Sequence, residues 1–246
     1  MKSFYVSRFA HLERLIRTDV TVSTMQPETR RTLGSLWAHR AQAELTASAM
    51  FSGLALDCSR GNVSPVLLSL TERAVDDERY HSMLSAQMAE HYLGETIPAF
   101  GPSADALRFE TCEADLALGL RLLLQCALNE TVAAAYLREC HREAISPLVR
   151  AAVRELLRDE IDHARIGWAY LGSTELGPRF RDSVRRELPQ LLAMVSAAWH
   201  KPLTESEYPV GYGVLSLERT REVADMTLET LVKPGLAGFG LVDGHG

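Results

Sequence analysis

Apolar residues recur three and four positions apart along most of the chain. Nowhere does a Val-, Ile- and Thr-rich stretch alternate in period two for long. The pattern predicts helices throughout. The opening "MKSFYVSRFAHLERLIR" has the spacing of a short amphipathic helix, with neither an uninterrupted apolar core nor a small-residue cleavage site. Pro27 can open a long helix over about 28–56, which "DCSRGNVS" breaks. Ser64-Pro65 pairs a capping hydroxyl with a first-turn proline and starts a second helix that runs to about Leu93. "GETIPAFGPS" is a Gly- and Pro-rich break, and a third helix covers about 113–143. Ser146-Pro147 repeats the Ser-Pro start, and a fourth helix runs to Leu171 with Gly172 as its left-handed stop. Two further helices are expected over about 178–199, bent at Pro189, and 216–232, with an irregular tail "KPGLAGFGLVDGHG". These elements predict an all-α, single-domain chain over residues 1–246. Its core is a four-helix bundle (about 28–172), with an N-terminal helix before it and a helical extension (178–233) after it.

Inside this pattern, some charges fall on faces that should be buried. "VDDERYH" and "LLRDEIDH" both contain Asp-Glu-x-x-His, and each Glu lies 14 residues after its Ser-Pro start. A Glu and a His three apart are about 60° apart around a helix and roughly 4.5 Å apart along it, so both reach one point. Glu78/His81 and Glu160/His163 are such pairs. Glu44 shares a stripe with Trp37, Ala41, Ala47 and Phe51, and Glu130 shares one with Leu123, Cys126, Ala133, Ala134 and Leu137. Both carboxylates are thus predicted to face a core. Four buried carboxylates are untenable unless they are protonated or bound to cations. Two divalent ions carry the four positive charges that balance them. Oxygen ligands mixed with imidazole suit iron or manganese better than tetrahedral zinc.

Composition narrows the partners. The chain is 46% hydrophobic with a net charge of −6, and it has no basic stripe to neutralise phosphates, which argues against nucleic acid. No run of about 18 apolar residues suggests a membrane span. Cys58, Cys112, Cys126 and Cys140 form no C-x-x-C, and successive members of the last three lie about 21 Å apart if helical. They read as buried thiols of a protein in a reducing cytoplasm.

The succession Glu44 … Asp77-Glu78-x-x-His81 … Glu130 … Asp159-Glu160-x-x-His163 resembles the ferritin-like di-iron carboxylate superfamily over about Leu33–Leu171. The resemblance implies two antiparallel helix pairs joined by a long crossover. It implies two iron ions, with manganese admissible at one position, held by Glu44, Glu78, His81, Glu130, Glu160 and His163. It gives Asp77 and Asp159 the task of orienting a ligand histidine on another helix. From spacing alone, Asp159 can equally meet His163 one turn along its own helix. "LLLQCALNETVAAAY" and "LRDEIDHARIGW" are similar to the corresponding helices of aldehyde-deformylating oxygenases. Arylamine N-oxygenases carry an extra His where this chain has Leu156.

The implied activity is oxidation of a small organic substrate by O2, with the four glutamates and two histidines as the catalytic centre. An external electron donor is implied, and the family's breadth suggests secondary-metabolite biosynthesis. Ferroxidase or peroxide-scavenging activity is the alternative, although no C-x-x-C electron-transfer module accompanies the bundle. A non-catalytic bundle stabilised by metal is the third reading. A homodimer is the default assembly. Trp37, Ala134, Gly167 and Tyr170 are the candidate pocket residues, the small ones leaving room beside the metals and the aromatic ones flanking it. His11, His39, His91, His141, His200 and His245 lack a partner pattern and are expected on the surface or in the core. Glu155 and Asp162 are expected to be solvated, and Tyr80 and Tyr136 to lie off the ligand face.

Overall fold

A computed structural model describes residues 3–61, 63–99, 101, 113–173, 177–203 and 209–242. Cys112, His245 and most of the stretch between the second and third long helices lie outside the described residues. The described chain is all-helical: α1 (Ser3–Thr18), a single turn α2 (Thr21–Thr24), α3 (Pro27–Arg60), α4 (Pro65–Leu93), α5 (Ala114–Glu143), α6 (Pro147–Leu171), α7 (Pro178–His200) and α8 (217–238). The Ser-Pro starts act as predicted. Ser64 Oγ accepts from the Leu67 amide at 3.3 Å, and Ser146 Oγ accepts from the Val149 amide at 3.2 Å. Each such cap contributes about 1 kcal/mol. Gly94 closes α4 at φ +77° and donates to the Glu90 carbonyl, a left-handed stop that favours glycine.

Cross-helix contacts fix the directions of α3–α6. Arg30 Nε donates to the Tyr92 carbonyl, Ser82 Oγ to the Ala41 carbonyl and Ser48 Oγ to the Val75 carbonyl, so α3 and α4 are antiparallel. Asp77 meets His163 and Asp159 meets His81, which makes α4 and α6 antiparallel. Arg40 meets Tyr136 and Asp57 meets Arg121, so α3 and α5 are antiparallel as well. The last residues of α4 and α5 therefore lie at the same end of the bundle. Residues 94–113 must connect that end to the other, about 43 Å away for a 29-residue helix. Twenty extended residues reach at most roughly 66 Å, which is sufficient.

One apolar cluster, with Trp37, Leu84 and Leu156, packs at one level of the bundle. Another, with Phe51, Ala74 and Ile166, packs at a second level. The positions of Glu44, Glu78 and Glu160 along their helices place the acidic layer between the two. A third cluster covers the outside of α5. Leu120, Leu124 and Leu128 pack there with Leu188 and Leu191 of α7 and with Leu228 of α8. Each side chain fully buried this way contributes about 1.5–3 kcal/mol. By length and composition α5 could cross a membrane, but 67% of its apolar window is buried inside the bundle. It is hydrophobic on all sides because α7 and α8 enclose it.

The chain departs from the sequence expectations at several points. The tail does not become irregular at Lys233: the helix of Leu217–Thr227 continues through a π-helical turn, Leu228–Val232, to Lys233–Gly238, because Val232 and Leu236 are drawn into the third cluster. Gly172 is right-handed (φ −75°) and so ends α6 without the left-handed stop. Within α5, Leu122–Glu130 is π-helical. The wider turns rotate the remainder of the helix: Val132, Ala135 and Leu137 are buried, while Ala133 and Ala134 are only half-buried.

Gly167 marks the closest approach of α5 and α6. A Cβ there would lie 2.3 Å from the Ala127 amide nitrogen. Gly167→Ala is therefore expected to destabilise the protein by about 1–3 kcal/mol, as overpacking against backbone does. Gly53→Ala, where a Cβ meets nothing within 4 Å, should instead stabilise by about 0.5–1 kcal/mol. Urea unfolding of the two variants checks the opposite signs.

Candidate metal centre

Because α4 and α6 are antiparallel, their two Asp-Glu-x-x-His motifs face each other in reverse order. Glu78 lies beside His163, and His81 beside Glu160. His81 Nδ1 is 3.4 Å from Glu78 Oε2 and 3.2 Å from Glu160 Oε1. His163 Nδ1 is 3.1 Å from Glu78 Oε1 and 3.0 Å from Glu160 Oε2. Both glutamates are thus shared between both imidazoles. Glu44 of α3 joins Glu78, and Glu130 of α5 joins Glu160. Ligand atoms of Glu44, Glu78, His81 and Glu160 all lie within 4.8 Å of one another. Glu78, His81, Glu130, Glu160 and His163 are buried, and Glu44 is half-buried at the edge of a cavity.

Electrostatics describe a centre short of positive charge. Burial raises the Glu44 carboxyl well above the usual carboxylate range, and the neighbouring Glu78 and Glu160 raise it further. Burial and then Glu160 do the same to Glu130. Burial disfavours charge on His81, but the surrounding carboxylates of Asp159, Glu160 and Glu78 outweigh this and raise it well above the ordinary value. His163 is likewise raised, chiefly by Glu160. Burial would raise Glu160, but the adjacent imidazolium of His163 holds it well below the normal range. The raised values at Glu44, Glu130, His81 and His163 all favour the protonated forms, which moves the metal-free cluster toward neutrality. Even so, Glu78 Oε2 and His81 Nδ1 are buried without a hydrogen-bond partner. Carboxylates and imidazoles that converge with two donor atoms unpartnered can hold a metal ion.

The outward nitrogens are held across the bundle. His81 Nε2 is 3.2 Å from Asp159 Oδ2, and His163 Nε2 is 3.5 Å from Asp77 Oδ2. Asp159 thus faces the histidine of the other helix and not His163 on its own. Each aspartate has further partners that sequence reasoning missed. Arg8 Nη2 of α1 donates to Asp159 at 2.7 Å, and its Nε pairs with Glu155. Tyr5 Oη donates to Asp77 at 2.8 Å. Arg73 pairs with Asp77 at 3.3 Å, one turn along α4. The Arg8 guanidinium also sits 4.5 Å over the Tyr80 ring. Glu155 is therefore paired and mostly buried, contrary to its expected solvation. Asp162 does lie nearer solvent, paired with Arg165. Cys58, Cys126 and Cys140 are free buried thiols.

A cavity of about 300 Å3 opens onto the four glutamates. Its lining differs from the sequence expectation: Trp37, Ala134, Gly167 and Tyr170 are not part of it. Trp37 is buried with its Nε1–H on the Tyr212 carbonyl at 3.0 Å. Tyr170 packs edge-on against Phe180, and Gly167 is filled by the Ala127 backbone. Ala47 and Ala133, small residues of the two glutamate stripes, do line the cavity, together with Ala43, Leu137, Trp199, Tyr136, His39, Arg40 and Lys201. Of the C-terminal extension, the end of α7, the start of α8 and Lys201, Leu203 and Val214 between them reach the cavity. His39, which lacks a partner pattern in the sequence, lines the cavity as well.

Comparison with known proteins finds no match: no family model matches the chain, and no curated protein or solved structure is significantly similar to it.

Stability and metal uptake should be linked through protons. Glu44, Glu130, His81 and His163 all bind protons more tightly folded than unfolded. Their contribution is whole below the unfolded values, about 4.3 for Glu and 6.5 for His, and is lost as pH rises through the raised folded values. Glu160 and Asp159 have the opposite sign, and their contribution is lost only on acidification below the carboxylate range. From about pH 5 to 8 the chelator-treated protein should lose thermal stability, whereas the metal-loaded protein should stay nearly flat. Calorimetry in buffers of different ionisation enthalpy should count about four protons released per chain on loading at neutral pH. A metal-free melting temperature that rises across this window contradicts the assignment.

Proposed function

We propose that this chain is a ferritin-like protein that holds two iron ions and uses O2 to oxidise a small organic molecule. The observation that carries the reading is the joint between the cluster and the cavity. Four glutamates, two of them shared between two histidines, line a walled space large enough for a small substrate. The mixed carboxylate and imidazole donors suit iron, with manganese admissible at one position. When bound, the metal pair supplies the electrons and the electrophilic site for oxygen chemistry.

The protein's own groups have separate tasks. Glu44, Glu78, Glu130 and Glu160, with His81 and His163, would hold the ions. Asp77 and Asp159 fix the histidine rings and favour the tautomer that leaves Nδ1 free for metal. Tyr5, Arg8 and Arg73 hold those aspartates, so the outer carboxylates need no charge from the metals. The apolar cavity walls exclude bulk water and select for shape. An external electron donor completes the cycle, and biosynthesis of a small metabolite in the cytoplasm by a homodimer is the setting the reading favours. A cavity with apolar walls supports an organic substrate over the ferroxidase, peroxide-scavenging and purely structural alternatives.

Glu160→Ala should lose metal and O2 consumption together, since it removes the carboxylate that both histidines contact. Asp159→Asn should keep most of the metal but slow O2 consumption by roughly 10–100-fold, the range for groups that hold a metal-bound histidine. Metal analysis, with a Mössbauer spectrum after exposure of the ferrous protein to O2, checks both. Full metal content in Glu160→Ala would sink the ligand assignment.

A further inference from the structure

Helix α5 lays one stripe along the cavity. Asn129, Ala133 and Leu137 follow at four-residue steps and all line it, and Asn129 directly precedes Glu130 of the cluster. Other polar side chains around this space are engaged or reach solvent. Arg40 lies over the Trp37 ring and donates to the Gly213 carbonyl at 3.0 Å. Tyr136 Oη accepts from the Leu215 amide at 3.4 Å, and Thr220 Oγ1 donates to the Ser216 carbonyl at 2.9 Å. His39 and Lys201 are exposed.

Asn129 differs from these. Its Oδ1 accepts from Trp199 Nε1 at 3.1 Å. An indole nitrogen only donates, so this bond fixes which way round the carboxamide lies and turns Nδ2 away from the indole. Trp199 is itself held, with its ring 5.3 Å from that of Tyr136 at 48°. Among the described residues Asn129 Nδ2 has no acceptor, and it keeps open surface, in contrast to the enclosed Gln125 Nε2 one turn earlier. An oriented amide donor at this half-buried position, next to Glu130, is therefore open to an acceptor brought by a guest.

The amide offers hydrogens and, with Oδ1 turned to Trp199, matches an oxygen that has lone pairs and no hydrogen. A hydroxyl brings a proton of its own that Nδ2 cannot accept. Leu36, Ala47, Ala133, Leu137 and Val214 make the walls apolar, and a charged guest would lose its hydration against them. At roughly 30 Å3 per water-sized group, the space holds about ten such groups. We infer that the cavity takes an uncharged, largely apolar ketone of about this size, whose oxygen accepts from Asn129 Nδ2. Resting on the oxidation reading above, this makes the carbons flanking the carbonyl the ones presented to the cluster. Asn129 is a binding residue for the carbonyl, and Trp199 is a positioning residue that acts through it.

The test is calorimetric titration of the full chain with probes of one shape: acetophenone, α-methylstyrene, 1-phenylethanol, benzoate and benzamidine. It is run without oxygen, on metal-free and on Mn2+-loaded protein. Acetophenone should bind about fivefold more tightly than α-methylstyrene in both forms, the effect of one net hydrogen bond. Asn129→Leu should abolish that preference and leave α-methylstyrene affinity within about twofold of the parent. Trp199→Phe, which keeps a ring but frees the amide, should reduce the preference to about twofold. In heteronuclear NMR spectra of the labelled, metal-free protein, acetophenone should move the Asn129 side-chain amide protons to lower field than α-methylstyrene does. If Asn129→Leu does not fold, Trp199→Phe and this resonance carry the test. A preference unchanged in Trp199→Phe, or an amide that acetophenone leaves in place, overturns the proposal. Benzoate, benzamidine or 1-phenylethanol binding as tightly as acetophenone also overturns it. So does acetophenone binding that requires metal and ignores Asn129, since the carbonyl would then sit on the ions. A protein that takes up no metal yet prefers acetophenone through Asn129 would refute the oxidation reading and leave this one standing.

Discussion

Four glutamate carboxylates gathered in one layer of a helical bundle, three of them buried, impose the constraint that organises the molecule. The layer lies between apolar levels, where an unbalanced charge is costly. Protons on Glu44, Glu130, His81 and His163 move it toward neutrality, and bound cations would do so in their place. Without a cation Glu78 Oε2 and His81 Nδ1 lie 3.4 Å apart with no hydrogen-bond partner, and a cation would use them. The centre is thus built for the charge it lacks, and the helices must stay close enough to present it. The tight contact of Gly167 on Ala127 serves that closeness.

A second ring of charge prevents the first from spreading. Asp77 and Asp159 each face a histidine, yet each also has a cation of the protein's own, Arg73 for the former and Arg8 for the latter. The aspartates can therefore orient the imidazoles without competing for metal charge. This arrangement explains the place of α1. Its Tyr5 and Arg8 reach the two aspartates from outside the four-helix core, so that the N-terminal helix completes the surroundings of the centre.

The motif helices were legible because their signals are local. A Ser-Pro start, a fixed 14-residue run to the glutamate and a three-residue step to the histidine are all written within one helix. Glu44 and Glu130 were legible as breaks in apolar stripes. The features that failed to read out depend on partners distant in the chain. Periodicity does not reveal the π-helical stretch of α5, since it is spread over residues buried on all sides by α7 and α8. The tail stays helical because Val232 and Leu236 have a cluster to join. Small residues were read as space, but at Gly167 the space is taken by a neighbouring backbone, while at Ala43, Ala47 and Ala133 it stays open. One-dimensional spacing cannot separate the two, because the distance between helices decides. Arg8 lies more than 140 residues from its partners, and nothing in "SRFAH" announces it.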